Sequence, residues 1–218
     1  MNRPKKNIRK KFVVFCEGDT EYNYFDAIRS RQGTELAIKP IDMEGGGYKN
    51  FLKKIKTEGK DNCLAKFIIV DGDRVLKEGG EKKNLQELID YCCQQNKNGK
   101  TPHFLIVDCP DFEYVACLHF KNYKGHQPKS FIDKELNYKS LDDFKADKEV
   151  YRKLNCDETV SVQVMCDRAS KVQSFLNNTY KIKKSVFEII ITGTKYDWNL
   201  IDKRGTNINE LFDIIYNI

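Results

Sequence analysis

Carboxylates sit where apolar runs stop. In residues 66–74, KFIIVDGDR, four apolar residues lead into Asp71 and Asp73 with a single glycine between them. Glu17 closes a second run in KFVVFCEGD, and Asp108 closes a third, HFLIVD, with Glu113 shortly after it in PDFEY. Carboxylates placed together raise one another's pKa unless something positive neutralises them. Several on neighbouring strand ends therefore call for a cation. With oxygen donors only, and no cysteine or histidine pair at ligand spacing, a hard ion fits best, Mg²⁺ or Mn²⁺. On extended backbone Asp71 and Asp73, two apart, would face the same way, and Gly72 would let the chain turn sharply or approach a phosphate closely. Aspartate and glycine are also ordinary turn residues. The tripeptide alone fits a solvated turn better; Glu17 at the tip of a second buried strand shifts the balance to a metal site. Arg74, directly after the pair, is the phosphate-binding candidate.

These side chains need a frame. Strand-length apolar blocks fall at 11–16, 36–43, 66–70, 103–107 and 186–192. Three are near-continuous Val/Ile/Phe/Leu runs, as expected of strands covered on both faces. Helical spacing predicts helices over 19–29, with Asp19 placed to cap the first, and over 48–57, 84–95 and 207–218. Alternating strands and helices give an α/β class, a mostly parallel, Rossmann-like sheet flanked by helices. Ligands of such sheets bind where the strand carboxyl ends open into loops, which is where the acids lie. The second half departs from this rhythm. Residues 121–140 read as a long polar loop, and helical patterns at 141–154 and 158–177 follow. The chain is thus expected to be one domain, 1–218, with a basic tail at 1–10 and a loop plus helical insertion or lid over about 121–180.

At 40% hydrophobic and 32% charged residues the chain has the composition of a soluble globular protein. No apolar run approaches the roughly 20 residues that span a bilayer, and the apolar block near the start is too short for a signal peptide. A cytoplasmic location and no membrane partner are therefore expected. The 8 cysteines include no CxxC pair, so they read as reduced, mostly buried thiols rather than disulfides or a zinc site. A net charge of +6 leans towards a polyanionic partner. The basic start NRPKKNIRKK fits a phosphate backbone or, equally, a solvated tail. EGGGYKNF is neither a Walker loop nor GxGxxG, and no GxSxG elbow occurs.

In the order VVFCEGDTEYNYF, IIVDGDR, PDFEYVACLHF, the chain resembles the RloB-like branch of the Toprim superfamily. Glu17 and the Asp71–Asp73 pair match the Toprim acidic positions. Thr20, Glu21, Tyr24 and Phe25 match the branch's Thr-Glu and Tyr-Phe, and Pro110, Phe112, Glu113, Leu118, His119 and Phe120 its later segment. The closing RGTNINELFDII is similar too, whereas 141–185 is the least recognisable part. Val115 stands where a tryptophan is usual, and Asp108-Cys109 where Ser-Asn is typical.

The resemblance implies a Toprim-like fold and Mg²⁺-dependent phosphodiester chemistry. Asp71 and Asp73 would bind metal, and Glu17 would bind it too or act as general acid or base. Glu113 is a fourth catalytic candidate, as an extra ligand or base. His119 is weighed equally as a catalytic and as a structural histidine, since six residues from Glu113 put it about 240° round a continuous helix. Lys121 and Lys124 are nucleic-acid-binding candidates in the following loop, with a solvated loop as the plainer alternative. The implied function is a metal-dependent nuclease of bacterial antiviral defence, an abortive-infection effector acting on DNA or RNA, host tRNA among the targets, and controlled by an ATPase partner. The alternative is a non-catalytic, metal- or nucleotide-binding regulator of such an ATPase. Self-association is left open.

Overall fold

Four of the apolar runs become parallel strands. The computed structural model describes residues 10–29, 36–44, 46–58, 63–99 and 101–217; apart from Lys10, the expected basic tail lies outside them. The strands are β1 (Lys10–Cys16), β2 (Leu36–Asp42), β3 (Ala65–Asp71) and β4 (His103–Asp108), in the spatial order β2-β1-β3-β4. Between and after them run α1 (Asp19–Arg29), α2 (Gly47–Glu58), α3 (Arg74–Lys77), α4 (Glu81–Lys97) and α5 (Phe112–Leu118). The α/β class expected from the sequence is the one observed.

Alternate strand residues feed opposite layers, as pleating requires. Phe12, Val14, Phe67, Ile69, Phe104 and Ile106 join one cluster with α1 and α5. Val13, Phe15, Ile68, Val70, Leu105 and Val107 join the other with α2 and α4. Because both faces are covered, the strands carry continuous apolar runs rather than alternation.

Beyond β4 the chain differs from the sequence expectation in three ways. The stretch 121–140 is not all loop: α6 (Pro128–Leu136) lies within it, with Pro128 in the first turn, Phe131 and Ile132 buried, and Asn137 left-handed after its end. The 141–154 pattern divides into α7 (Leu141–Ala146) and α8 (Val150–Lys153), because the backbone of Asp147 is extended. The 158–177 pattern gives only α9 (Val162–Ala169), and a strand, β5 (Leu176–Lys183), begins where a helix was expected. β5 pairs antiparallel with β6 (Glu188–Tyr196), so the fifth apolar run builds a separate hairpin and does not extend the parallel sheet. β5, LNNTYKIK, has Leu176 buried and then alternates exposed with partly buried residues, a half-covered pattern that polar residues disguise. The final helix, α10 (Ile208–Asn217), packs on α9 and β4.

The strand order carries functional meaning. From β1 the chain crosses to β2 on one side and later to β3 on the other, so a topological switch point lies between the carboxyl ends of β1 and β3. Residues 205–207 close the outer edge of β4 at the same end. Cys109 and Gly205 exchange backbone bonds at 2.8 and 3.0 Å, and Asn207 accepts from Val107 N–H at 3.0 Å and donates to the Leu105 carbonyl at 3.0 Å. A Cβ at Gly205 would lie 2.1 Å from the Gln173 carbonyl oxygen. Gly205→Ala should therefore cost about 1–3 kcal/mol or more in urea unfolding, whereas Gly79→Ala, with open space around it, should leave the midpoint nearly unmoved. Equal midpoints for the two variants would contradict the close approach at Gly205.

Candidate active site

β1 and β3 deliver the first two acids to the switch point. Glu17 follows Cys16 directly and is buried. Its Oε2 accepts the Asp71 N–H at 2.9 Å and its Oε1 accepts Arg74 Nε at 2.5 Å. Asp71 is the last residue of β3, and its Oδ1 accepts the Phe112 N–H at 3.1 Å. That bond ties it to the start of α5, where Asp111 caps the helix by accepting from Tyr114 N–H. Tyr48 reaches from α2 to the Asp71 carbonyl, donating its hydroxyl at 2.5 Å.

Two further acids close on the same place. Glu21 is buried in the first turn of α1. Glu113 is buried in the first turn of α5. Glu17, Glu21, Asp71 and Glu113 line one pocket of ≈ 180 Å³ together with the exposed Asp19 at the start of α1, Arg74 and Lys145. Burial pushes the pKa of Glu21 well up, helped by the charges of Glu17, Asp108 and Glu113. Asp71 is raised in the same way, first by burial and then by Glu21, Glu17 and Glu113. Glu17 is raised by burial against the opposing donation from Arg74 and the Asp71 N–H. Asp111, just behind, is lifted to about 7 by burial and the Glu113 charge.

The match to a known family is extensive: a model described as RloB-like protein matches residues 12–213, nearly the whole chain. The chain belongs to the RloB-like family. No match was found among curated proteins or among solved structures.

The donors lining this RloB-like pocket suit a hard cation, since its acids offer only oxygen and carry unbalanced negative charge. They are not drawn into ligand geometry: among the described residues no three His, Cys, Asp or Glu side chains converge as a metal-holding group. Glu17 directs both oxygens at protein donors, and Asp71 gives one to Phe112.

The sequence candidates divide. Glu17, Asp71, Glu113 and Arg74 are brought together. Asp73 does not line the pocket. The extended geometry that would align it with Asp71 ends at Asp71; Asp73 is αR, precedes α3, and pairs with Lys77. Gly72 is required by proximity: a Cβ there would meet Cys109 Sγ at 2.6 Å, under the Gly72 N–H bond to the Asp108 carbonyl. His119 lies in the core with no exposed surface, 3.1 Å from the Tyr24 hydroxyl, and burial lowers its pKa to about 3. That placement sets it apart from the acidic pocket. Lys121 is exposed and outside the acidic pocket, and Lys124 lines a different cavity of ≈ 590 Å³ with His126 and Lys134. Three charged pocket residues were missed as site residues, and Asp19 stood in the sequence reading only as a helix cap. Glu21 stood in the sequence reading only as a matched family position. Lys145 sits in KADK, a run indistinguishable from a solvated face.

Asp108 lies beneath the pocket, fully buried, at the end of β4. Its Oδ1 accepts the Thr206 hydroxyl at 2.5 Å, and its Oδ2 has no hydrogen-bond partner. Burial lifts its pKa to about 7, with Asp111 and Glu17 adding and Thr206 opposing. The unfolded chain releases this proton near pH 4 and the folded chain holds it to about 7. Its contribution is therefore complete below about pH 4 and lost as pH rises to about 7, by at most about 4 kcal/mol. Asp108→Asn, which keeps an acceptor for Thr206, should flatten the fall in stability between pH 5 and 8 and gain at pH 8. Urea unfolding in EDTA at both pH values measures this, and parallel pH slopes for the two proteins would refute it.

Proposed function

We propose that this protein is a metal-dependent nuclease that hydrolyses phosphodiester bonds in DNA or RNA. The observation behind this is the meeting of five carboxylates and two cationic side chains at the switch point between β1 and β3. Glu17, Glu21, Asp71 and Glu113 would hold Mg²⁺ or Mn²⁺, which when bound lowers the pKa of coordinated water and offsets charge on the phosphoryl group. Asp73, just past Asp71, remains a candidate ligand in exchange for its partner Lys77. Acids raised by burial, Glu17 and Glu21 among them, exchange protons closer to neutral pH than solvated carboxylates do. Arg74 orients Glu17 and places a planar cation beside the path of a phosphate. Acids on neighbouring parallel strand ends also agree with a Toprim-like assignment. RloB-like membership extends the proposal to an antiviral-defence effector of the abortive-infection kind, working in the bacterial cytoplasm under an ATPase partner.

The state of the acids favours a second reading, a metal- or nucleotide-binding regulator without turnover: Glu17 is held by Arg74 and the Asp71 N–H, and among the described residues no three acids take up a metal-holding arrangement. One pair of measurements separates the two. Purified protein is incubated with plasmid DNA, single-stranded DNA and total RNA in Mg²⁺, Mn²⁺ or EDTA, and its melting temperature is followed against Mg²⁺. The nuclease reading expects metal-dependent cleavage of one substrate, lowered on the order of 100-fold or more by Glu17→Gln and by Asp71→Asn. A Mg²⁺-dependent rise in melting temperature that both variants lose, without cleavage of any substrate, would establish the regulator. Neither cleavage nor a metal response would remove both.

A further inference from the structure

We propose that Lys145, carried into the acidic pocket by the helical segment that follows β4, is a phosphate-binding residue that takes an oxygen of the nucleic-acid backbone. This deepens the nuclease reading of the same pocket and rests on it. The pocket has two cationic side chains, and they are held differently. Arg74 is committed: Nε bonds Glu17 at 2.5 Å and Nη1 bonds Glu78 at 3.3 Å. Lys145 Nζ stands 3.8 Å from Glu113 Oε1, beyond hydrogen-bond distance, on a side chain that is half exposed. A contact of that length and exposure does not hold an ammonium in place.

The backbone behind Lys145 is fixed. The neighbouring Phe144 is fully buried, Ser140 caps α7 by accepting from Asp143 N–H at 3.2 Å, and the Lys145 carbonyl accepts from Asn23 Nδ2 of α1 at 3.2 Å. A mobile ammonium on an anchored stem, at the mouth of a strongly negative pocket, is the arrangement a phosphate anion needs to enter. A phosphodiester is repelled by Glu17, Glu21, Asp71 and Glu113 alike. Lysine meets it as a strongly hydrated point charge with rotatable donors, free of the fork geometry that already commits Arg74 to Glu17.

The test uses the full chain and a short single-stranded oligonucleotide, DNA or RNA, in Ca²⁺, with binding followed by fluorescence anisotropy over a range of salt. Lys145→Ala should bind about tenfold more weakly and lose about one unit of the salt slope. Lys145→Arg should retain most of both. Lys148→Ala, an exposed lysine of the same segment outside the pocket, should behave as wild type. An unchanged melting temperature for Lys145→Ala shows that the fold survives, and Lys145→Arg carries the comparison where it does not. Wild-type affinity and salt slope in Lys145→Ala would overturn the assignment while leaving any Mg²⁺-dependent cleavage, and so the nuclease reading, in force. Loss of binding in Lys145→Ala when the wild type cleaves nothing would keep the phosphate contact and remove the nuclease. No oligonucleotide binding by the wild type removes the assignment.

Discussion

Negative charge confined in a small volume is the constraint around which this molecule is arranged. Five carboxyl groups line a pocket of ≈ 180 Å³, and burial, with repulsion from neighbouring acids after it, raises Glu17, Glu21 and Asp71 above the ordinary carboxylate range. Such groups persist only where donors meet them. The Asp71 N–H meets Glu17, the Phe112 N–H meets Asp71, and Arg74 meets Glu17. Each bond also joins two elements: β3 to β1, β3 to α5, and the start of α3 to β1. The stabilising contacts of the acids are thus the contacts that set their positions.

The end of β4 bears the rest of this arrangement. Asp108 opposes Asp71 in register, and its carbonyl takes the Gly72 N–H at 2.7 Å. The turn after β3 can therefore bend only if residue 72 has no side chain, because Cys109 Sγ occupies that space. On the other side, Gly205, Thr206 and Asn207 bond Cys109, Asp108 and Val107 and spare the sheet an open edge at this end. A close-packed strand end leaves the acids little freedom to separate. Their burial first, and their repulsion after it, are then expressed as shifted proton affinity.

Most of the parallel core was legible because its signals are local. Runs such as Phe67-Ile68-Ile69-Val70 are continuous for a physical reason, burial on both faces, and acids that end them stand out. The hairpin was half hidden: β6 carries Ile189-Ile190-Ile191, but β5, Asn177-Asn178-Thr179 among its residues, owes its strand state to β6 and to Asn178, which is bonded through its N–H and Nδ2 to Glu210. Asp73 misled because the alternation rule holds only while the backbone stays extended, and it turns at Gly72. His119 was ambiguous by spacing, and its burial beside the Tyr24 hydroxyl depends on tertiary packing. Glu21 was recoverable, since an acid in the first turn of a helix is a local pattern. Lys145 was not, for its position depends on which surface α7 covers.

That dependence has a consequence for how the charge is balanced. Arg74 reaches the acids from the turn that carries Asp71, so its pairing with Glu17 is secured within the parallel sheet. Lys145 arrives from a helix of 6 residues followed by one of 4, each far too short to hold its shape alone. They persist because Phe144, Val150, Tyr151 and Leu154 are buried in the layer that contains α1 and α5. Half of the cationic lining of the pocket is therefore a property of tertiary packing. Any loosening of α7 from α1 would act first on the Asn23 bond and on the distance between Lys145 and Glu113, leaving the strand-end acids and Arg74 where they are. The electrostatics of the pocket and the packing of the helical segment are in this sense one quantity, read at two places.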